Sequence, residues 1–379
     1  NFFMEGDYIK IHSSLLPLSF LYGMGVRFRN MLFDTGILES RSFPIPVISV
    51  GNITVGGAGK TPHVEYLIRL LCETKRVSVL SRGYKRRTKG YLLASSSSTS
   101  LELGDEPYQM YLKYGRQVHV AVSANRCEGI ERLCSDPETK DTDVILLDDA
   151  FQHRYVKPGV NILLVDYHRL IVYDKLLPAG RLREPKDGKR RADIVIVTKC
   201  PPDLRPMDFR VITKALNLYP YQKLFFTTIE YGDLIPLFSN SRSLALSEIT
   251  SDYEVLVLSG IASPQHLLCD IQKHTENVIP MTFRDHHLFT PKDIARINNT
   301  FDSLSSKRII ITTEKDAARL VGLDGLSDDV RNHIYALPIK TTFLLEQHEQ
   351  FDEFILSYVL KNSKDSILHK SDTYSISRR

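Results

Sequence analysis

Between residues 46 and 62 the chain reads Pro-Val-Ile-Ser-Val-Gly-Asn-Ile-Thr-Val-Gly-Gly-Ala-Gly-Lys-Thr-Pro. A β-branched apolar run, a glycine-rich turn and Gly-Lys-Thr at the start of an amphipathic helix are the layout of a nucleotide phosphate cradle. Little but an α/β fold with a buried parallel strand accommodates it. Gly56, Gly57 and Gly59 leave room for backbone N–H groups to converge on an anion at the positive end of the helix. Thr54, Val55, Gly56, Gly57, Ala58, Gly59, Lys60 and Thr61 are therefore the nucleotide-binding candidates, with Lys60 reaching the β and γ phosphates and the Thr61 hydroxyl a magnesium ion. The usual Gly-x4-Gly-Lys-Ser/Thr pattern asks for glycine where this chain carries Thr54.

The chain's 379 residues are enough for two domains with separate cores. Forty-two per cent apolar and 25% charged residues are ordinary for a water-soluble chain, and a net charge of +4 without extended basic clustering gives no reason to expect nucleic acid as a partner. Five scattered cysteines without a Cys-x-x-Cys pair point to reduced, cytosolic thiols. No apolar run approaches the roughly 18 to 20 residues of a membrane-crossing helix.

Residues 1–40 carry an apolar, mildly basic helical stretch around Leu15–Phe33. It either lies on an anionic membrane surface or packs on the neighbouring domain. Strands alternating with helical spacers from 47 to 198 predict a parallel, doubly wound sheet. Val77–Leu80 ends at the basic loop Ser81–Arg87, where Arg82 is an anion-binding candidate because ligands of open α/β sheets sit beyond the carboxyl ends of strands. Gly104-Asp105-Glu106-Pro107 stands at a helix start, where acidic residues commonly serve the dipole. Val144–Leu147 runs into Asp148 and Asp149, the placement of a Walker B carboxylate beside magnesium, and Gln152 and His153 follow close to the same crevice. Arg183 and Glu184 open the densest basic segment, which continues to Arg191. The expected division is a nucleotide-binding domain over 41–222, a β-ribbon linker over 223–250 with a turn at Gly232-Asp233, a smaller α/β domain over 251–362, and a flexible tail over 363–379. Ile334–Ile339 is expected as the last strand and 347–360 as a closing helix of the smaller unit.

Together with Arg284-Asp285-His286 and Thr313-Glu314-Lys315-Asp316, these motifs in this order resemble the tetraacyldisaccharide 4′-kinase (lipid A 4′-kinase, LpxK) family over about residues 20 to 345. That family shares the non-glycine at position 54, whereas its Asp-Asp-Gly-Phe-Gln-His motif has Ala150 here in place of glycine. The resemblance implies a P-loop-containing doubly wound α/β/α domain joined by a two-stranded ribbon to a smaller α/β/α domain. It implies transfer of the γ-phosphate of ATP, with Mg2+, to the 4′-hydroxyl of a tetraacylated glucosamine disaccharide 1-phosphate in lipid A synthesis. A peripheral enzyme at the cytoplasmic face of the bacterial inner membrane is implied as well, which moves the N-terminal stretch toward membrane contact. By resemblance Asp105 is the catalytic aspartate and His286 its partner. Thr61 with Asp148, Asp149 and Glu106 orders the magnesium, and Arg82, Gln152, His153, Arg183 and Glu184 face the substrate. Without the resemblance, a P-loop kinase of a soluble metabolite and a nucleotide-switch protein also fit the cradle; the latter leaves Asp105 and His286 without a task. No protein partner is inferable.

Overall fold

The computed structural model describes residues 9–238, 242–261, 264–285, 287–305 and 307–363. His286 and the tail beyond 363 lie outside the described residues. Within them the strands are β1 (Val47–Gly51), β2 (Val77–Ser81), β3 (Leu92–Leu93), β4 (His119–Val122), β5 (Val144–Asp148), β6 (Val160–Asp166), β7 (Ile194–Thr198), β8 (Lys223–Tyr231), β9 (Ile235–Pro236), β10 (Glu254–Ser259), β11 (Val278–Thr282), β12 (Arg308–Thr313), β13 (Ile334–Leu337) and β14 (Ile339–Phe343).

Nine of them form one sheet in the order β14-β8-β7-β6-β1-β5-β2-β4-β3, parallel from β8 to β4 with antiparallel strands at both edges. Every residue of β1, β2, β5 and β7 is buried, as parallel strands covered on both faces must be. The helices Lys60–Cys72 and His348–Lys361 pack on one face around Ile48, Val64, Leu67, Leu146, Phe351 and Ile355. In the first helix Val64, Leu67, Ile68 and Leu71 recur at helical spacing and supply its buried stripe. The helices Arg126–Ser135 and Pro206–Leu216 cover the other face, giving three layers.

A second sheet of five strands runs β11-β10-β12-β13-β9, again parallel apart from its last pair. Its core joins Leu256, Leu258, Ile297, Phe301, Ile310 and Val330.

Three expectations are corrected. The stretch expected as a linker ribbon begins as an integral strand: β8 pairs with β7 from Lys223 to Phe226, and Phe225 to Thr228 are buried. Its ribbon partner is β14, far along the chain, and not a strand across the turn at Gly232-Asp233. Ile334–Ile339 is not one strand, because Pro338 separates β13 in the small sheet from β14 in the large one. The closing helix His348–Lys361 returns to the core of the large sheet, since Phe351, Ile355 and Val359 are apolar enough to complete a face that Lys60–Cys72 leaves open.

Candidate active site

The glycine-rich turn leaves β1 at the centre of the large sheet, the position where crossover direction changes and ligands of such folds collect. Gly59 adopts φ 77°, and a Cβ there would make only ordinary contacts with the His63 ring at 3.6 Å and Thr198 Cβ at 3.9 Å, so conformation and not crowding calls for glycine. Gly51 is constrained differently: a Cβ would lie 2.8 Å from Phe151 Cβ and 2.9 Å from its backbone N. The turn is pinned from below, where the Thr198 hydroxyl donates to the Ala58 carbonyl (3.1 Å). His63 bridges the Gly59 carbonyl (2.7 Å) and Thr227 (3.1 Å), and burial pushes its pKa down to about 4.

Thr54 is buried and sits opposite Leu182 in an isolated antiparallel bridge, flanked by Val55 N–H donating to Arg181 O (2.7 Å) and Arg183 N–H donating to Ile53 O (2.7 Å). Its hydroxyl accepts from Asn52 Nδ2 at 3.0 Å. An extended residue in a bridge needs no glycine, which accounts for the departure from the common cradle pattern.

At the end of β5 the two adjacent aspartates differ. Asp149 takes φ 47° and turns toward Lys60 Nζ (3.6 Å) and Arg183 Nη1 (3.4 Å); burial works upward on its carboxyl, but these two cations hold it below the ordinary range. Asp148 is fully buried. The Ser81 hydroxyl donates to its Oδ2 (3.0 Å), whereas Oδ1 has no partner. Burial, then Glu106 and Asp149, raise its pKa to about 7. Ala150 lies outside the positive-φ region, so the residue in place of the family's glycine is accommodated without strain.

A buried carboxylate oxygen with no donor, beside two further carboxylates, suits a proton or a cation. The residues thus fit a magnesium ion held by Asp148 with Glu106, its remaining positions taken by phosphate oxygens and water as is usual for this ion. No protein-only cluster of three or more His, Cys, Asp or Glu able to hold a metal occurs among the described residues.

The candidates after β5 sit in an arginine-rich wall. His153 has a buried, unpartnered Nε2, and burial followed by Arg126, Arg29 and Arg82 lowers its pKa to about 4. The Gln152 amide donates to the Asn52 carbonyl, and the Gln152 carbonyl accepts from Arg29 Nη2 at 3.3 Å. Glu184 is buried and paired with Arg191 Nη2 (2.5 Å). The Arg183 carbonyl accepts from Tyr22 Oη at 2.8 Å, which joins this wall to the helix Leu16–Asp34. Asp105 opens the helix Asp105–Tyr114 behind Gly104 at φ 91°, and its Oδ2 accepts from Arg319 Nη2 of the small-sheet unit at 2.6 Å.

Sequence reasoning did not single out Ser81, Arg126 or Arg319. Arg126 is the largest fully buried side chain; it donates to the Ser123 (2.7 Å) and Asp148 (3.0 Å) carbonyls and underpins the β5 turn. Its place just after β4, like that of Ser81 at the end of β2, was the available signal. Nothing local marks Arg319.

A phosphate cradle on a doubly wound sheet, with a cation-seeking strand-end aspartate and a separate aspartate at the crevice, defines an ATP-dependent P-loop phosphotransferase. The family model for tetraacyldisaccharide-1-P 4′-kinase (LpxK) matches residues 11–360. The chain is 55% identical over 364 residues to the tetraacyldisaccharide 4′-kinase of Phocaeicola vulgatus, covering 96% of this chain and 99% of that one. It is 45% identical over 358 residues to that of Porphyromonas gingivalis W83, covering 93% and 99%. The Aquifex aeolicus LpxK crystal structure in complex with ATP superposes with TM-score 0.71 at 31% identity, covering 92% of this chain and 99% of that one. The chain belongs to the tetraacyldisaccharide 4′-kinase family.

Proposed function

We propose that this kinase phosphorylates the 4′-hydroxyl of tetraacyldisaccharide 1-phosphate in lipid A synthesis with Asp105 as the proton acceptor, working at the cytoplasmic surface of the bacterial inner membrane. Lys60 and the amides of Gly56 to Thr61 hold the β and γ phosphates. The Thr61 hydroxyl, Asp148 and Glu106 hold magnesium, which when bound neutralises charge on the phosphates being separated. Asp149 keeps Lys60 and Arg183 at the crevice until phosphate oxygens replace it. Asp105 receives the hydroxyl proton; His286, which the resemblance pairs with it, lies outside the described residues. A carboxylate is a weak base toward an alcohol, so its alignment matters more than its pKa.

The observation that carries this reading is the arginine wall. Arg29, Arg82 and Arg126 surround a neutral His153, matching the anionic 1-phosphate of the acceptor. The helix Leu16–Asp34 that closes this wall supports the membrane surface. One side packs inward, where Ser19, Gly23 and Phe33 are buried and a Gly23 Cβ would lie 2.7 Å from Leu176 Cδ1. The other bares Leu16, Phe20, Met24, Phe28 and Met31 at three- and four-residue spacing, with Phe20 63% exposed and Arg27 alongside. The inner side of this helix meets the packing expected of the N-terminal stretch, and its bared side supports the membrane contact. Among the described residues no helix is long and apolar enough to cross a membrane.

The direct test incubates the protein with ATP, magnesium and detergent-dispersed tetraacyldisaccharide 1-phosphate and follows 4′-phosphate formation. Turnover with that acceptor is expected. Phosphorylation of a soluble sugar at equal rate would remove the lipid from the reading.

A further inference from the structure

The Thr313-Glu314-Lys315-Asp316 motif has no part in the chemistry described so far. It begins the helix Glu314–Leu320 at the end of β12, in the small-sheet unit. Asp316 is fully buried. Its Oδ2 accepts from Gly260 N (2.8 Å) and the Thr313 hydroxyl (2.7 Å), and its Oδ1 accepts from Arg319 Nη1 (2.8 Å). Three donors from three positions leave that carboxylate one orientation. The Arg319 side chain, 3% exposed, is thereby held at one tip of its fork, and the other tip, Nη2, donates to Asp105 Oδ2 at 2.6 Å.

We propose that Arg319 is a positioning residue for the phosphoryl-transfer step: anchored by Asp316, it fixes the carboxylate plane of Asp105 from across the junction of the two sheets. The inference rests on Asp105 as the proton acceptor. A tie made only to hold the units together would not need this pair, because two other contacts already cross the junction. Lys113 Nζ donates to both Glu65 and Glu314 (2.6 Å each), and Lys315 Nζ approaches Glu106 at 3.9 Å and Asp285 at 3.0 Å. Those lysines are point charges on flexible stems. A guanidinium gripped at one nitrogen transmits direction as well as charge. The bond at Oδ2 restrains rotation of the Asp105 carboxylate and so sets the direction from which it meets the substrate proton. Because helix Glu314–Leu320 belongs to the small-sheet unit, Asp105 is aligned only when the two units are docked.

The experiment compares kcat and KM for ATP in the full-length protein and in its Arg319→Gln, Arg319→Lys and Asp105→Asn forms with detergent-dispersed acceptor. Arg319→Gln is expected to lower kcat by about 10- to 100-fold, the scale of a misaligned proton acceptor. It should leave KM for ATP within about twofold. Arg319→Lys, which keeps the charge and loses the fork, should likewise lose kcat with KM for ATP unchanged. Should Arg319→Gln fail to fold, unchanged kcat in Arg319→Lys overturns the proposal alone. Unchanged kcat in Arg319→Gln, or a parallel loss of ATP affinity, reduces Arg319 to a structural tie. A fully active Asp105→Asn removes the proton acceptor itself, and the proposal with it, whatever Arg319 does.

Discussion

Lys60 Nζ lies 3.6 Å from Asp149 Oδ1, so the cradle lysine and the strand-end carboxylate neutralise each other across the crevice before any phosphate arrives. Arg183 completes the arrangement from the other side at 3.4 Å. The site thus holds two cations against one carboxylate, and an incoming triphosphate competes with Asp149 for them.

Replacing Lys60 by Ala should therefore remove phosphate affinity and leave Asp149 with Arg183 as its cation. kcat/KM for ATP is expected to fall by about 100- to 1000-fold, the scale of losing one preorganised charge donor. Steady-state kinetics with ATP varied measures it, and a loss confined to the lipid acceptor's KM would contradict the assignment.

Acid should loosen the fold beneath the cradle. His63 is held neutral in the folded state with a pKa of about 4, below its unfolded value. In that window the unfolded chain binds the extra proton, so stability present above pH 6.5 is lost as pH falls toward 4, by up to about 3 kcal/mol. Asp148, raised to about 7 in the absence of a cation, works in the opposite sense, so the wild-type curve alone does not isolate His63. The difference in urea midpoint between wild type and His63→Gln, compared at pH 7.5 and 5, does; it should shrink at pH 5.

Gly51→Ala is expected to cost about 1–3 kcal/mol by overpacking, because the added methyl meets Phe151 Cβ at 2.8 Å and the Phe151 backbone behind it. Urea denaturation reads the loss. Since Phe151 lies only two residues beyond Asp149, magnesium-dependent activity should fall further than stability.

Phe20→Ser combined with Phe28→Ser should leave turnover of detergent-dispersed acceptor within about threefold while reducing sedimentation with anionic vesicles by about tenfold, since each change removes exposed apolar area and no internal contact. Equal vesicle binding by the double variant would move the membrane contact elsewhere on the molecule.

The half-buried pair Leu92–Leu93 of β3 was not legible in the sequence, but the parallel strands of the large sheet up to Thr198 were, because each is a largely buried aliphatic run, and period and turn chemistry are local properties. The same holds for the cradle and for Asp148 and Asp149, where glycine conformation and strand ends mark the chemistry. At two places beyond Pro201 the local signal misled. β8 alternates like a surface ribbon yet lies inside the sheet, because its second face is covered by Phe343 and Phe351 from the far end of the chain. Pro338 reads as a minor interruption and in fact separates strands of two different sheets.

By itself, then, the sequence determined the α/β class, the place of the phosphate cradle and the adjacent aspartate pair, all set by residues near one another along the chain. Tertiary structure alone decided that Asp148 would be the cation-seeking member of that pair and Asp149 the ion-paired one, since burial and charge neighbours come from elements distant in sequence. It likewise decided that Thr54 stands where it does to pair with Leu182, and that Arg319, 214 residues from Asp105, reaches the crevice at all.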